Sequence, residues 1–245
     1  MTKVLVISDV HANILALEAV LADAGKVDEV WCLGDIVGYG PNPNECIERI
    51  RALPELTCAM MGNHDYAAIG DMTLEIFNSD AKKALVWQRQ MLTVASQGFL
   101  RKLAQKPTVS GSVTLVHGSP RDPIWEYIMN SLMARVNLDA FTTPWCFVGH
   151  THFQALFQYH PEKDEMSIEV PGPGKRYELK ERAILNPGSV GQPRDRDPRS
   201  AYAIFDPEAR IWEPHRVEYD IKTVQKRILE AGLPPRHAER LAGGW

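Results

Sequence analysis

Apolar positions along the chain fall into two rhythms. Short continuous runs recur at Val4-Leu5-Val6-Ile7, Val30-Trp31-Cys32-Leu33, Thr57 to Met61, Val113-Thr114-Leu115-Val116, Trp145-Cys146-Phe147-Val148 and Ala183-Ile184-Leu185. Runs of this length, rich in β-branched residues, predict strands buried on both faces. Between the first of them the period changes. Leu17, Val20, Leu21 and Ala24 form a helical stripe, opened by Asn13 as N-cap and stopped by Gly25. Cys46, Ile47, Ile50 and Leu53 form another after Asn42-Pro43, with proline in the first helical position. Strand, loop and helix in that order make βαβ units and an α/β chain.

The second half is less regular. From about 71 to 106 the pattern is helical, with Leu85, Gln88/Arg89 and Leu92 at helical spacing and Lys82, Lys83 and Arg89 expected to face solvent. Two or three helices are predicted there, forming a cap-like segment or a side wall, with Trp87 and Phe99 as packing residues. Asp122 to Leu138 predicts a short helix with irregular flanks. His160 to Arg182 is polar and contains Pro171-Gly172-Pro173-Gly174, which predicts a surface loop or splayed hairpin. Ala201 to Phe205 and Ile211 to Val217 are expected to close the fold as antiparallel strands. Asp220 is expected to cap a last helix running through Glu230 and stopped by Gly232-Leu233-Pro234-Pro235. No internal repeat or linker interrupts the chain, so a single domain over residues 1–245 is expected.

Composition narrows the class only slightly. The 245 residues are 44% apolar and 24% charged, as in an ordinary globular protein, and the net charge of −4 gives no nucleic-acid footprint. No apolar run approaches the ~18 to 20 residues needed to span a bilayer. Met1-Thr2-Lys3-Val4 runs straight into a strand without a signal-peptide plan, and a cytoplasmic location is expected. Cys32, Cys46, Cys58 and Cys146 stand singly among apolar neighbours, which favours buried free thiols over disulfides or thiolate ligands.

The chemistry sits at the strand ends. In order they carry Asp9-x-His11, Gly34-Asp35, Gly62-Asn63-His64-Asp65, His117-Gly118 and Gly149-His150-x-His152. Open α/β sheets place their sites there. Taken singly each block has an ordinary explanation: Asp9 or Asn13 as a helix cap, Gly34-Asp35 as a turn, His117 as a core histidine. His160, His215 and His237 fall outside every block and carry no functional reading. Five blocks in succession, mixing imidazole and carboxylate, suit borderline divalent ions.

In that order the blocks resemble the signature of the calcineurin-like metallophosphoesterase superfamily, over residues 9 to 152. The resemblance implies a four-layer α/β/β/α sandwich of two mixed sheets. It also implies two divalent metal ions per chain, with Mn, Zn or Fe favoured and Mg or Ni compatible. One ion would be held by Asp9, His11, Asp35 and His152, the other by Asp35, Asn63, His117 and His150, with Asp35 as the bridge. His64 matches the family residue near the leaving oxygen, and Asp65 is expected to orient and charge it through a hydrogen bond. The implied activity is hydrolysis of phosphodiesters or small phosphorylated metabolites through a metal-bridging hydroxide.

Some relatives fit better than others. Ser/Thr protein phosphatases of the superfamily carry an Asp-Arg pair just after the Gly-Asp, whereas here the stretch is Gly34-Asp35-Ile36-Val37-Gly38-Tyr39-Gly40. Asp9-x-His11-x-Asn13, Gly38-Tyr39-Gly40-Pro41 and Asn186-Pro187-Gly188-Ser189 with Gln192 and Arg194 resemble instead the small bacterial and archaeal phosphodiesterase-type members. Asn13 and Arg194 are the candidates for substrate contact. A protein phosphatase, a dinucleoside-polyphosphate hydrolase and a non-catalytic scaffold of the same fold are the alternatives. A small phosphorylated substrate is the expected partner, no membrane is involved, and the oligomeric state is open.

Overall fold

The computed structural model describes residues 2–70 and 72–245; Met1 and Asp71, where the expected cap-like segment begins, lie outside the described residues. The first half runs β1 (Val4–Ile7), α1 (Ile14–Ala24), β2 (Glu29–Cys32), α2 (Pro43–Arg51), β3 (Leu56–Ala59) and α3 (Asn63–Ala68). Asn13 caps α1 by accepting the Ala16 N–H at 3.2 Å, and Pro43 opens α2. Helices α4 (Ser79–Met91) and α5 (Val94–Leu100) follow, then β4 (Thr108–Ser110), β5 (Val113–Leu115), α6 (Ser131–Leu138) and β6 (Trp145–Phe147). The chain closes with β7 (Gln154–His160), β8 (Glu165–Glu169), β9 (Tyr177–Glu178), β10 (Ala183–Pro187), β11 (Ser200–Asp206), β12 (Ile211–Val217), α7 (Ile221–Glu230) and α8 (Pro235–Gly243).

Two six-stranded mixed sheets face each other, in the orders β3-β2-β1-β11-β12-β9 and β4-β5-β6-β10-β7-β8. β1 lies parallel to β2 and antiparallel to β11; β6 lies parallel to both β5 and β10. The continuous apolar runs follow from this layering. Side chains alternate along a strand, so Val4 and Val6 point between the sheets while Leu5 and Ile7 point outward. The inner set meets Trp31, Phe147, Leu185, Phe205 and Trp212. The outer set is covered by Leu17, Val20, Ile47 and Ile50 of α1 and α2. On the second sheet, Cys146, Phe157 and Ile184 are covered by Ala134 and Leu138 of α6. The result is the expected α/β/β/α sandwich. Cys32, Cys46, Cys58 and Cys146 are all free, and only Cys58 is less than buried.

Two details, Arg89 and the C-terminal helix, depart from the sequence reading, and two others fall among the alternatives it left open. α4 and α5 pack beside α2 and α3 as a side wall, and only the segment before α4 reaches the site. Arg89 does not face solvent, because its guanidinium donates to the carbonyls of Ala67 (2.8 Å) and Met72 (3.0 Å). The polar stretch after His160 supplies β8, which pairs with β7 as a hairpin at the sheet edge, and only Met166 of β8 is buried. Glu230 does not end the last helix of the fold: Pro234-Pro235 opens α8, which buries His237, Ala238 and Leu241. A proline in a first turn starts a helix as readily as one beyond it stops a helix. No helix among the described residues is long and apolar enough to cross a membrane.

Candidate metal centre

Loops at the C-terminal ends of β1, β2, β5 and β6, with the start of α3, converge at one edge of the sandwich. They bring Asp9, His11 and His152 together as one buried group, and Asp35, His117 and His150 as another, each with its ligand-type atoms within 4.8 Å of one another. Asp35 Oδ2 lies 3.7 Å from His11 Nε2 and 3.5 Å from His117 Nε2, so one carboxylate oxygen serves both groups.

The ring nitrogens are oriented by backbone carbonyls. His11 Nδ1 lies 2.9 Å from the Val37 carbonyl, and His152 Nδ1 lies 2.6 Å from that of Gln192. A carbonyl oxygen only accepts, so both Nδ1 atoms carry protons and both Nε2 atoms present lone pairs. Those two Nε2 atoms face each other at 3.1 Å. The second group repeats the plan. His117 Nδ1 donates to the Leu33 carbonyl (2.8 Å) and His150 Nε2 to that of Trp125 (3.2 Å). Their remaining nitrogens, His117 Nε2 and His150 Nδ1, face each other at 3.2 Å. Opposed lone pairs at such distances call for a cation or a proton between them.

The carboxylates make the same demand. Asp9 Oδ1, Asp35 Oδ2 and Asn63 Oδ1 are buried oxygens with no hydrogen-bond donor. Such oxygens are costly to bury unless a metal or donor meets them. Their other contacts fix the geometry: Asp9 Oδ2 accepts the His150 N–H (3.1 Å), and Asp35 Oδ1 accepts the His64 N–H (2.8 Å). The residues present therefore fit a pair of divalent ions.

Electrostatics separates the two groups. Burial pushes His11 and His152 well below the usual histidine range, and burial with His117 nearby lowers His150 to about 3. Burial also opposes a charge on His117, but Asp35 and Asp9 outweigh it and raise the imidazole to about 9. Asp35 is buried too, yet the surrounding imidazoles, His117 first, hold its carboxyl well below the usual range. Burial raises Asp9 to about 6 against the pull of His117.

The backbone is bent into place. Asp9, His11, Ala12, Asp35, Tyr39, His150 and His152 all adopt positive φ, between 47° and 65°, a region non-glycine residues seldom occupy. Each such residue costs on the order of 1 kcal/mol or more and persists where its surroundings hold it. Gly62 shows how tight the approach is, since a Cβ there would lie 2.0 Å from Asp35 Oδ1.

Three expected roles change. Asp65 does not touch His64. Its carboxylate accepts the backbone N–H groups of Val37 (3.0 Å) and Gly62 (3.2 Å), tying the Asp35 loop to the start of α3. His64 instead pairs through Nε2 with the Tyr39 hydroxyl (3.0 Å), and burial lowers it to about 4, so the imidazole is neutral. Asn13 is not free for substrate. It is buried, with Oδ1 capping α1 and Nδ2 donating to the Gly191 carbonyl (3.0 Å), beside the residue that orients His152. Asn186 is a brace of the same kind, donating to Gly149 O and Thr151 Oγ1.

Asn63, His64 and His150 open onto a cavity of about 350 Å³ walled by Tyr39, Phe77 and Trp125, with Arg194 and Arg240 at its edge. The Arg194 guanidinium lies over the Tyr39 ring at 5.5 Å and donates to Gln192 Oε1 (3.0 Å). Burial and Arg194 lower Arg240 to about 10. Tyr39 is the main residue that the motif reading left unassigned, although Gly38-Tyr39-Gly40 stood where the protein phosphatases carry their Asp-Arg pair. Gln88 holds that turn, accepting the Gly38 N–H (2.6 Å) and donating to the Gly40 carbonyl (2.9 Å). The three histidines outside the blocks stay ordinary: His160 meets Ser167, His215 pairs with Glu213, and His237 bonds the Asp80 carbonyl.

A two-sheet sandwich with paired Asp/His groups at its strand ends defines a class, and comparison with known proteins agrees with it. A family model described as the calcineurin-like phosphoesterase superfamily domain matches residues 2–210, and the chain belongs to that family. It is similar to a metallophosphoesterase from Sphaerobacter thermophilus of known crystal structure, with 48% identity, a TM-score of 0.91, and coverage of 100% of this chain and 99% of that one. It is 38% identical over 249 residues to an uncharacterized protein of Methanocaldococcus jannaschii, covering 98% of this chain and 97% of the relative. A symmetrical bis(5'-nucleosyl)-tetraphosphatase of Glaesserella parasuis matches only locally, 32% identical over 63 residues, or 24% of this chain and 23% of that enzyme.

Proposed function

We propose that the chain is a two-metal phosphoesterase acting on phosphodiesters or small phosphorylated metabolites. The observation that carries this reading is the two pairs of inward-facing imidazole nitrogens, at 3.1 and 3.2 Å, flanking one shared carboxylate oxygen. Divalent ions held by Asp9, His11, Asp35 and His152, and by Asp35, Asn63, His117 and His150, would activate water and polarise phosphoryl oxygens.

The chain's own residues supply the rest. Arg194 is placed to meet a phosphoryl oxygen that turns toward the cavity. The neutral His64 and its Tyr39 partner stand beside the same cavity, and the pair has one proton free to donate to a departing oxygen. Asp65, Asn13, Asn186 and Gln88 position the loops and do not meet the substrate.

Gly38-Tyr39 in place of the Asp-Arg pair disfavours a protein phosphatase. A scaffold has no physical need for buried, donor-free carboxylate oxygens. The test is hydrolysis of bis-p-nitrophenyl phosphate and p-nitrophenyl phosphate by metal-stripped protein, with Mn²⁺, Zn²⁺, Mg²⁺ or Ni²⁺ restored singly. Turnover should require metal and fall in His64→Ala. Binding of two ions without turnover of any phosphoester would point to a scaffold.

A further inference from the structure

Beyond Arg194 lies a second and larger concavity, of about 510 Å³. Its floor is the outer face of β7 and the segment before α6, where Ala155, Phe157 and Ile128 are buried. Its walls are apolar side chains left in solvent: Met129 at 50% exposure, Ile168 at 49% and Val170 at 76%. Phe157 and Ile168 are partners in the β7–β8 register, so they share one face of the hairpin. The inner end is different in kind. It is formed by Thr151, which stands between His150 and His152, and by Arg194, which also lines the cavity beside His64.

Binding sites for small molecules are concave and mostly apolar, with a few polar groups placed at one end. This groove has that form, and Arg194 at its polar end is shared with the cavity onto which Asn63 and His150 open. The two cavities on either side of Arg194 differ sharply in chemistry. The one beside His64 offers Tyr39, Asn78, Arg194 and Arg240, whereas this one is lined mainly by apolar carbon, with Asp195 and Arg196 following Arg194 in its wall.

Building on the two-metal phosphoesterase reading, we propose that the groove holds an aliphatic substituent of the substrate. The substrate is then an asymmetric phosphodiester, with one apolar arm in the groove and one more polar arm beside His64. Arg194, at the junction, meets the anionic phosphate between them. The position of His64 decides which bond breaks. The oxygen of water forms the new bond to phosphorus, and the ester bond on the His64 side breaks. That arm leaves as an alcohol carrying one proton of the water. The apolar arm stays on the phosphate, and the product is its monoester.

The experiment compares p-nitrophenyl methyl phosphate with p-nitrophenyl hexyl phosphate on the metal-loaded protein. Calorimetry of methylphosphonate and hexylphosphonate binding runs beside it. Burial of a methylene corresponds to about a fourfold gain. With walls half open to solvent, kcat/KM for the hexyl ester should exceed the methyl ester by at least about thirtyfold, and hexylphosphonate should bind more tightly by a similar factor. Ile168→Asp with Val170→Asp, both on exposed positions, should collapse the hexyl-to-methyl ratio to within about threefold. Equal turnover of the two esters would overturn the groove assignment and leave the phosphoesterase reading standing. Tighter hexylphosphonate binding without turnover of either ester would support the groove and count against the phosphoesterase. A double variant that changes the oligomeric state in gel filtration but keeps the ratio would show an interface between copies, and would overturn the proposal.

Discussion

The two Asp/His groups are built alike and charged differently. In each, backbone carbonyls orient a pair of imidazoles so that two ring nitrogens face inward. In the group of Asp9, His11 and His152, burial keeps both histidines neutral. In the group of Asp35, His117 and His150, two carboxylates draw positive charge onto His117, which rises to about 9. The difference is one of position. Asp35 stands between the groups, so its charge is felt on both sides, but its second oxygen is spent on the His64 N–H. One group is poised for a cation, while the other must first give up a proton.

Removing the shared carboxylate is the largest perturbation. Asp35→Asn should lower kcat/KM by about a thousandfold or more, because it weakens both sites at once. A loss below about tenfold would remove Asp35 from the centre of the account. His152→Ala and His117→Ala separate the groups. Each should reduce bound metal from two ions to one by elemental analysis, with turnover falling by on the order of a hundredfold. If either variant lost both ions, the groups would not be independent sites.

Proton competition distinguishes the groups further. Metal needs a deprotonated ligand, so occupation of the His117 group should release a proton. Its affinity should rise about tenfold per pH unit between 7 and 9, as His117 deprotonates. The Asp9 group should be flat above pH 7 and weaken below about 6, where Asp9 takes up a proton. Calorimetry in buffers of different ionisation enthalpy reads both trends, and matching profiles would show the contrast to be false.

Smaller effects probe the corrected roles. Tyr39→Phe removes the partner of His64 and should slow esters with poor leaving groups by about tenfold, while p-nitrophenyl esters change little. Equal slowing of both would make Tyr39 a packing residue. Asn13→Ala should cost roughly 1 kcal/mol of stability through loss of the α1 cap. Its KM should stay near that of the parent, and a large KM rise would restore Asn13 as a substrate contact.

Much of the site was legible because its ligands sit in short blocks after strands, where residue type and order both carry information. The layering was legible in Val4–Ile7 and Trp145–Phe147, whose unbroken apolar runs suit strands covered on both faces. What was not legible depends on the third dimension. Any residue can lend a carbonyl, so Val37, Leu33, Trp125 and Gln192 left no mark as the groups that orient the histidines. Asp65 follows His64 in sequence, yet adjacency along a helix start sends the two side chains to different partners. Tyr39 reaches His64 only because Gln88, from a helix 50 residues on, holds the turn between them. The groove beyond Arg194 needs β8 beside β7, and β8 lies in the stretch from His160 to Arg182 that reads as polar surface.

The most direct test is a titration of metal-stripped protein with Mn²⁺ or Zn²⁺, scored at each step for bound ions and for hydrolysis of bis-p-nitrophenyl phosphate. The account predicts two ions per chain and turnover that appears as the second site fills, with Asp35→Asn losing both properties. Full turnover without added metal, or saturation at a single ion with full activity, would contradict it.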